Sequence, residues 1–139
     1  MTRRSRESGQ VSVVIVGALF ICLAFTGLAV DGARLFTARR DLQNVADSAA
    51  LAGASAIDEG HFRESAGNEV RLDPVGARGA VDRVLVASGL PLGTQVDVTV
   101  EPDRVIVRLD RPVTMTFLKI VGLSEERIGA TATAGPQTG

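Results

Sequence analysis

An uncharged run of twenty residues, 11–30, constrains this chain more than any other feature. As a helix it is about 30 Å long, which matches the hydrocarbon core of a bilayer. We therefore predict a transmembrane helix over residues 11–30. Two alternatives stay open. The run could be the core helix of a soluble protein, or it could be part of a secretory signal that is cleaved near Ala29 and whose basic n-region consists of Arg3, Arg4 and Arg6. The run exceeds the roughly 7–15 apolar residues of an ordinary signal, which favours the anchor.

The arginines on either side of this run bear on its orientation. Their number is the same before the run and after it, where Arg34, Arg39 and Arg40 follow, so the positive-inside rule gives a tie. Long downstream domains translocate largely regardless of charge, and residues 1–10 form only a short basic tail. We predict that this tail is cytoplasmic and without fixed structure, and that the C-terminal part is extracytoplasmic.

Residues 31–57 are predicted to continue the span as an extracytoplasmic amphipathic helix. Small and apolar residues recur there at alternating spacings of three and four, which is typical of a narrow helical seam. The seam consists of Leu35, Ala38, Leu42, Val45, Ala49, Ala52 and Ala56. Gly32 is expected to bend the rod, because glycine weakens a helix. Asp31 is either a solvated carboxylate at the lipid edge or a partner for a basic group of a neighbouring subunit.

Residues 58–139 are predicted to form a small α+β domain. Its first part, residues 59–72, is polar and aperiodic, and we interpret it as a loop that contains the only histidine, His61. Asp73 and Pro74 have the chemistry of an N-cap and a first helical residue, so a short helix is expected from there to Gly89.

The period then changes to two, which predicts strands. Residues 95–101 and 104–109 form a hairpin, Pro112 breaks the next stretch or confines it to an edge, and the last strand covers residues 127–134. One helical turn capped by Thr116 is expected at residues 117–122. The predicted fold is α+β: a long N-terminal transmembrane and amphipathic helix, then a pilin-like domain with one short helix and a three- to four-stranded antiparallel sheet.

The sequence contains no recognisable reactive centre. Its one cysteine, Cys22, lies in the apolar run, and no GxSxG, HExxH or P-loop string occurs. We predict a protein that is not an enzyme and has no catalytic residues, cofactor, metal or small-molecule substrate. The net charge of −1 and the lack of Trp and Tyr also argue against nucleic-acid binding.

The string that runs from the apolar segment through Asp31-Gly32-Ala33-Arg34 to the alanine-rich residues 46–54 resembles the TadE/TadG-like family of the tight-adherence (Flp) pilus assembly system. The resemblance covers residues 9–54 and is closest to the TadG-like N-terminal segment. It implies a bacterial single-pass membrane protein, pilin-like in plan, that serves pilus assembly or an allied secretion apparatus. Gly9 fits the glycine of a prepilin-peptidase site, but Val14 stands where that site has a glutamate.

The span and the seam both offer surfaces on which other helices or subunits can pack. Small residues of the span promote close helix packing in lipid, and the seam packs either on another subunit or on the chain's own sheet. The predicted helix-packing and interaction residues are Gly17, Gly27, Asp31, Leu35, Leu42, Val45 and Ala49. The expected partners are the lipid bilayer and other pilus-assembly or secretion proteins, with self-association included. An anchored extracytoplasmic binding or sensor domain is the alternative function.

Overall fold

The computed structural model describes residues 4–66 and 69–136. Over these residues the chain forms a long N-terminal helix, two shorter helices and a three-stranded antiparallel sheet, which confirms the α+β class. The described residues fall into two compact units. The first unit comprises those of Met1–Leu35 and Thr114–Glu126, and the second those of Phe36–Val113 and Arg127–Gly139.

The long helix, α1, is one continuous element, Arg4–Ala54. It begins inside the tail that was predicted to be unstructured, and that prediction is wrong from residue 4 onward. Extending an existing helix avoids the cost of nucleation, so polar residues next to a stable helical run can join it. The helix continues through Gly32 without interruption. It ends earlier than the predicted residue 57, where Ile57 forms a β-bridge with Leu72 instead.

Residues 11–30 of α1 expose apolar side chains in the first unit. Phe20 is 74% exposed, Leu23 65% and Val13 73%. Among the described residues, α1 is long and apolar enough to cross a membrane. The core helix of a soluble protein would be covered by other elements, so this surface is compatible with a transmembrane anchor instead.

The second unit is built around the alanine-rich half of α1. Ala46 and Ala49 are fully buried there. At Gly53, the side chains of Val81 and Val105 lie close to the backbone of α1. A Cβ atom on Gly53 would lie 2.8 Å from Cγ2 of Val81 and 3.1 Å from Cγ2 of Val105. The helix therefore packs closely against a second helix and the sheet because it has no side chain at that point.

Two shorter helices belong to this unit. One, α3, covers Pro74–Ala87 and begins as predicted, with the Asp73 side chain accepting hydrogen bonds from the Val75 and Gly76 N–H groups. The other, α2, covers Glu59–Glu64, where the sequence predicted a loop, and that prediction is wrong. A helix of six residues, fewer than two turns, is too short to show a periodic pattern in the sequence.

Polar contacts fix α2 and the segment that follows it. Asp58 caps the helix by accepting a hydrogen bond from the His61 N–H at 3.0 Å. The His61 ring lies 3.1 Å from the carboxylate of Glu69. This hydrogen bond and the charge of Arg71 hold the pKa of Glu69 below its usual range.

The sheet has the strand order β1-β2-β3. Its strands are β1, Gln95–Glu101, β2, Arg104–Thr114, and β3, Glu125–Ala134. The predicted hairpin is confirmed, with a register that runs from Gln95 opposite Asp110 to Glu101 opposite Arg104. The strand β2 continues through Pro112, so the expected break does not occur, whereas the alternative of an edge position is confirmed. Pro112 lies past the end of the pairing with β1, where no ladder bond to β1 needs its N–H.

Candidate functional site

The candidate site lies in the first unit, where the connection between β2 and β3 meets α1. This connection, the 115–124 loop, contains a 3₁₀ turn, Leu118–Val121. The Met115 N–H closes the loop by donating to the Ser124 carbonyl oxygen at 3.0 Å, and Gly122 adopts φ +90°, which favours glycine. A helical turn was predicted here and is confirmed. Thr116 does not cap it, because Phe117 holds the capping position without a side-chain bond.

Asp31 of α1 supplies the cap instead. The Thr116 N–H donates to its Oδ1 at 3.1 Å. The N–H groups of Phe117 and Leu118 donate to its Oδ2 at 2.7 Å and 2.8 Å. The first N–H groups of a helical turn have no partner within the turn, so a carboxylate at this position satisfies them. A side chain from a distant part of the sequence thereby fixes the backbone of the loop.

The charge of Asp31 is stabilised although the residue is fully buried. Burial raises the pKa of a carboxyl group, but the three backbone hydrogen bonds and the nearby positive charge of Arg34 outweigh this effect. The pKa of Asp31 consequently lies below its ordinary value of 3.8. The expected solvated carboxylate is therefore wrong: a shallow position at the end of the apolar run does not reveal that a loop covers it. The basic group that acts on it belongs to the same chain.

Two further residues of α1 complete the contact. Arg34 donates from Nη1 to the Thr116 hydroxyl oxygen at 2.6 Å. Gly27 lies under Phe117, and a Cβ atom there would come within 2.7 Å of the Phe117 Cγ and 2.9 Å of its Cβ. Gly27, Asp31 and Arg34 are spaced by four and three residues, so they share one side of the helix. We call them the docking face, since together they receive the loop by shape, charge and hydrogen bonding.

An apolar cavity of about 280 Å³ lies between the loop and α1. Its lining includes Phe20, Leu23, Leu28, Phe117 and Ile120. Binding sites for polar substrates need a few convergent polar groups, and this lining offers none. Within the described residues, no three His, Cys, Asp or Glu side chains come together in a way that holds a metal.

The other predicted interaction residues lie apart from the docking face. Gly17 is exposed, and a Cβ atom placed there would have no neighbouring atom within 4 Å. Leu35 and Val45 are half-buried. Leu42 and Ala49 are buried inside the second unit, so they pack within the chain itself. A role of Gly17, Leu35 and Val45 in contacts with another subunit stays a prediction.

Sequence reasoning missed the loop as a partner of Asp31. Residues 116–118 were assigned to a strand edge and a turn, because their local pattern is too short to show a tertiary contact. A usable signal was present in the apolar residues Phe117, Leu118, Ile120 and Leu123 on an otherwise exposed turn. Clustered exposed apolar side chains commonly mark an interaction surface.

Residues 9–56 match the model of a family described as putative Flp pilus-assembly TadE/G-like. The match confirms the resemblance found over residues 9–54, and it contains both the apolar run and the docking face. The segment is thus similar to proteins associated with Flp pilus assembly. Comparison with curated proteins and with solved structures found no match.

Proposed function

We propose that this protein is a non-enzymatic, single-pass membrane component of Flp-type pilus assembly or an allied secretion apparatus. The observation that carries the proposal is the coincidence of two features in residues 9–56: the similarity to the pilus-assembly family and the exposed apolar surface of residues 11–30. A helix surface of this kind is stable in lipid and costly in water. The N-terminus faces the cytoplasm of a bacterial cell, and the C-terminal part is extracytoplasmic.

A non-enzymatic role agrees with the chemistry of the docking face. Asp31 is fully buried, and both of its carboxylate oxygens accept hydrogen bonds from loop N–H groups, so the carboxylate is not exposed to a substrate. The cavity next to it is apolar and lies against residues 20–28, where lipid is expected in an anchored protein. These features support a structural site and give no support to a binding or sensor domain.

A partner surface is available on the part of α1 that follows the anchor. Phe36 is 70% exposed and Leu51 55% exposed, although both are large apolar residues. Exposed residues of this type are common in protein interfaces. We therefore place the contact with other pilus-assembly proteins at Phe36 and Leu51. Leu42 and Ala49 do not qualify, because they are buried in the fold.

Crosslinking in native membranes tests this proposal. Single cysteines replace Phe36 or Leu51 in a Cys22→Ala background, and Asp47→Cys serves as an exposed polar control on the same helix. We expect products that contain another pilus-assembly protein, identified by mass spectrometry, from Phe36→Cys or Leu51→Cys but not from Asp47→Cys. The protein should also resist extraction with alkaline carbonate. Recovery as a soluble protein that retains residues 11–30 would refute the anchor, and monomer alone would refute the assembly role.

A further inference from the structure

The docked 115–124 loop lies beside the apolar run and not beyond its end. Phe117 packs over Gly27, which lies almost one helical turn before the end of the run at residue 30. With the rise of an α-helix, this places the contact about 5 Å inside the predicted lipid edge. A loop docked at this depth is next to the hydrocarbon of the outer leaflet.

The side chains of the loop are suited to that environment. Ile120 is 85% exposed, Leu123 57% and Phe117 40%. They extend the exposed apolar surface of Leu23 and Leu28 on the neighbouring part of α1. A short polypeptide turn in water rarely carries so many large exposed apolar residues.

The backbone of the loop is also suited to lipid, where an unsatisfied N–H costs several kcal/mol, on the order of a lost hydrogen bond. Asp31 binds three of its N–H groups, and carbonyl oxygens within the loop bind others. The donors satisfied within the first unit are those of Met115, Thr116, Phe117, Leu118, Ile120, Gly122 and Leu123. Irregular backbone is tolerated at membrane depth where protein covers it. Here α1 covers the start of the turn, because Asp31 accepts its N–H groups and Gly27 lies under Phe117.

From these observations we propose that the 115–124 loop inserts into the outer leaflet and contacts lipid acyl chains through Phe117, Ile120 and Leu123. This inference rests on the proposed membrane anchor. Lys119 extends from the same turn and is exposed. A lysine side chain is long enough to place its ammonium group among lipid phosphates while its stem stays among apolar groups. The span of a second copy is a less suitable occupant, because helices in lipid associate through small residues and this surface carries bulky ones.

Fluorescence quenching in vesicles tests the inference. The full chain is reconstituted in phosphatidylcholine vesicles with one environment-sensitive label on a cysteine. Three labelled proteins are compared: Ile120→Cys and Val86→Cys, each in a Cys22→Ala background, and the unsubstituted chain labelled at Cys22. Val86 is the matched control, since it is apolar and 82% exposed but lies on α3. We expect lipids with a nitroxide in the upper acyl chain to quench the labels at Ile120 and Cys22. Aqueous iodide should quench only the label at Val86.

The three labels separate failure of the inference from failure of the anchor. If Cys22 is quenched by lipid but Ile120 by iodide, the loop lies in water and the inference is wrong, whereas the anchor stands. If neither reagent quenches the label at Ile120, protein covers the loop and the inference is wrong. The inference is also wrong if lipid quenches the label at Ile120 no more strongly than the label at Val86. If lipid does not quench Cys22, the anchor fails and the inference fails with it.

Discussion

The substitution Gly27→Ala tests the docking face most directly. The new methyl group would lie 2.7 Å from the Phe117 Cγ and 2.9 Å from its Cβ. Rotation of the ring does not relieve the second contact, because the position of Cβ is fixed by the backbone, so the loop must move away from Asp31. Overpacking of this kind costs about 1–3 kcal/mol, which corresponds to an increase of about 5- to 150-fold in the undocked population.

Hydrogen exchange of the loop amides measures this population. In the chain purified in detergent micelles, the N–H groups of Thr116, Phe117 and Leu118 exchange only when they leave Asp31, so their exchange should accelerate by the same factor. Gly17→Ala is the matched control: it is also in the apolar run, but nothing lies within 4 Å of the new Cβ, and exchange should not change. Equal exchange rates in the two variants would refute the steric role of Gly27.

Three further predictions concern charge and packing. Because the pKa of Asp31 is lowered in the folded chain, its hydrogen bonds stabilise the docked loop above the ordinary pKa of 3.8 and are lost as the pH falls through the lowered value. Exchange of these loop amides, corrected for intrinsic rates, should thus be constant between about pH 7 and pH 5 and should rise only in stronger acid. Gly53→Ala should lower the free energy of unfolding by about 1–2 kcal/mol, since overpacking exceeds the gain in helix propensity. Gly79→Ala should raise it by about 0.5–1 kcal/mol, because a Cβ there meets only the Arg83 Nη1 at an ordinary contact distance of 3.8 Å. Equal thermal shifts of the two variants by circular dichroism would contradict this. Leu42→Ala should lower the free energy of unfolding, measured by denaturant titration, by about 2–5 kcal/mol. The control Phe36→Ala, at an exposed position, should lower it by less than about 0.5 kcal/mol. Similar unfolding midpoints of the two variants would show that Leu42 is not in the core.

The parts of the fold that were predicted correctly have local causes. The hairpin follows from alternating apolar residues around Pro102, and α3 from the capping chemistry of Asp73 and Pro74. The apolar run likewise specifies its own helix. Each of these signals involves residues that are close in the sequence, so periodicity and capping preferences are sufficient to detect them.

The candidate site was only half predictable for the opposite reason. Gly27 and Asp31 were predicted to contact another helix, solvent or a neighbouring subunit, whereas the loop that covers them lies far along the same chain, with a separation of 85 residues between Asp31 and Thr116. No local pattern connects such positions. The same limit applies to Leu42 and Ala49. Their spacing correctly predicts that they share one side of a helix, but it does not indicate whether the surface that covers them belongs to the same chain or to another subunit.

The separation between Asp31 and its donors also sets an order of events during biogenesis. In a chain inserted as proposed, Asp31 leaves the translocation machinery early, whereas the N–H groups that bind it follow 85 to 87 residues later. The carboxylate must remain hydrated at the membrane surface throughout that interval. A chain that is truncated or stalled before Leu118 never acquires all three donors, so only molecules exported beyond that residue can reach this arrangement.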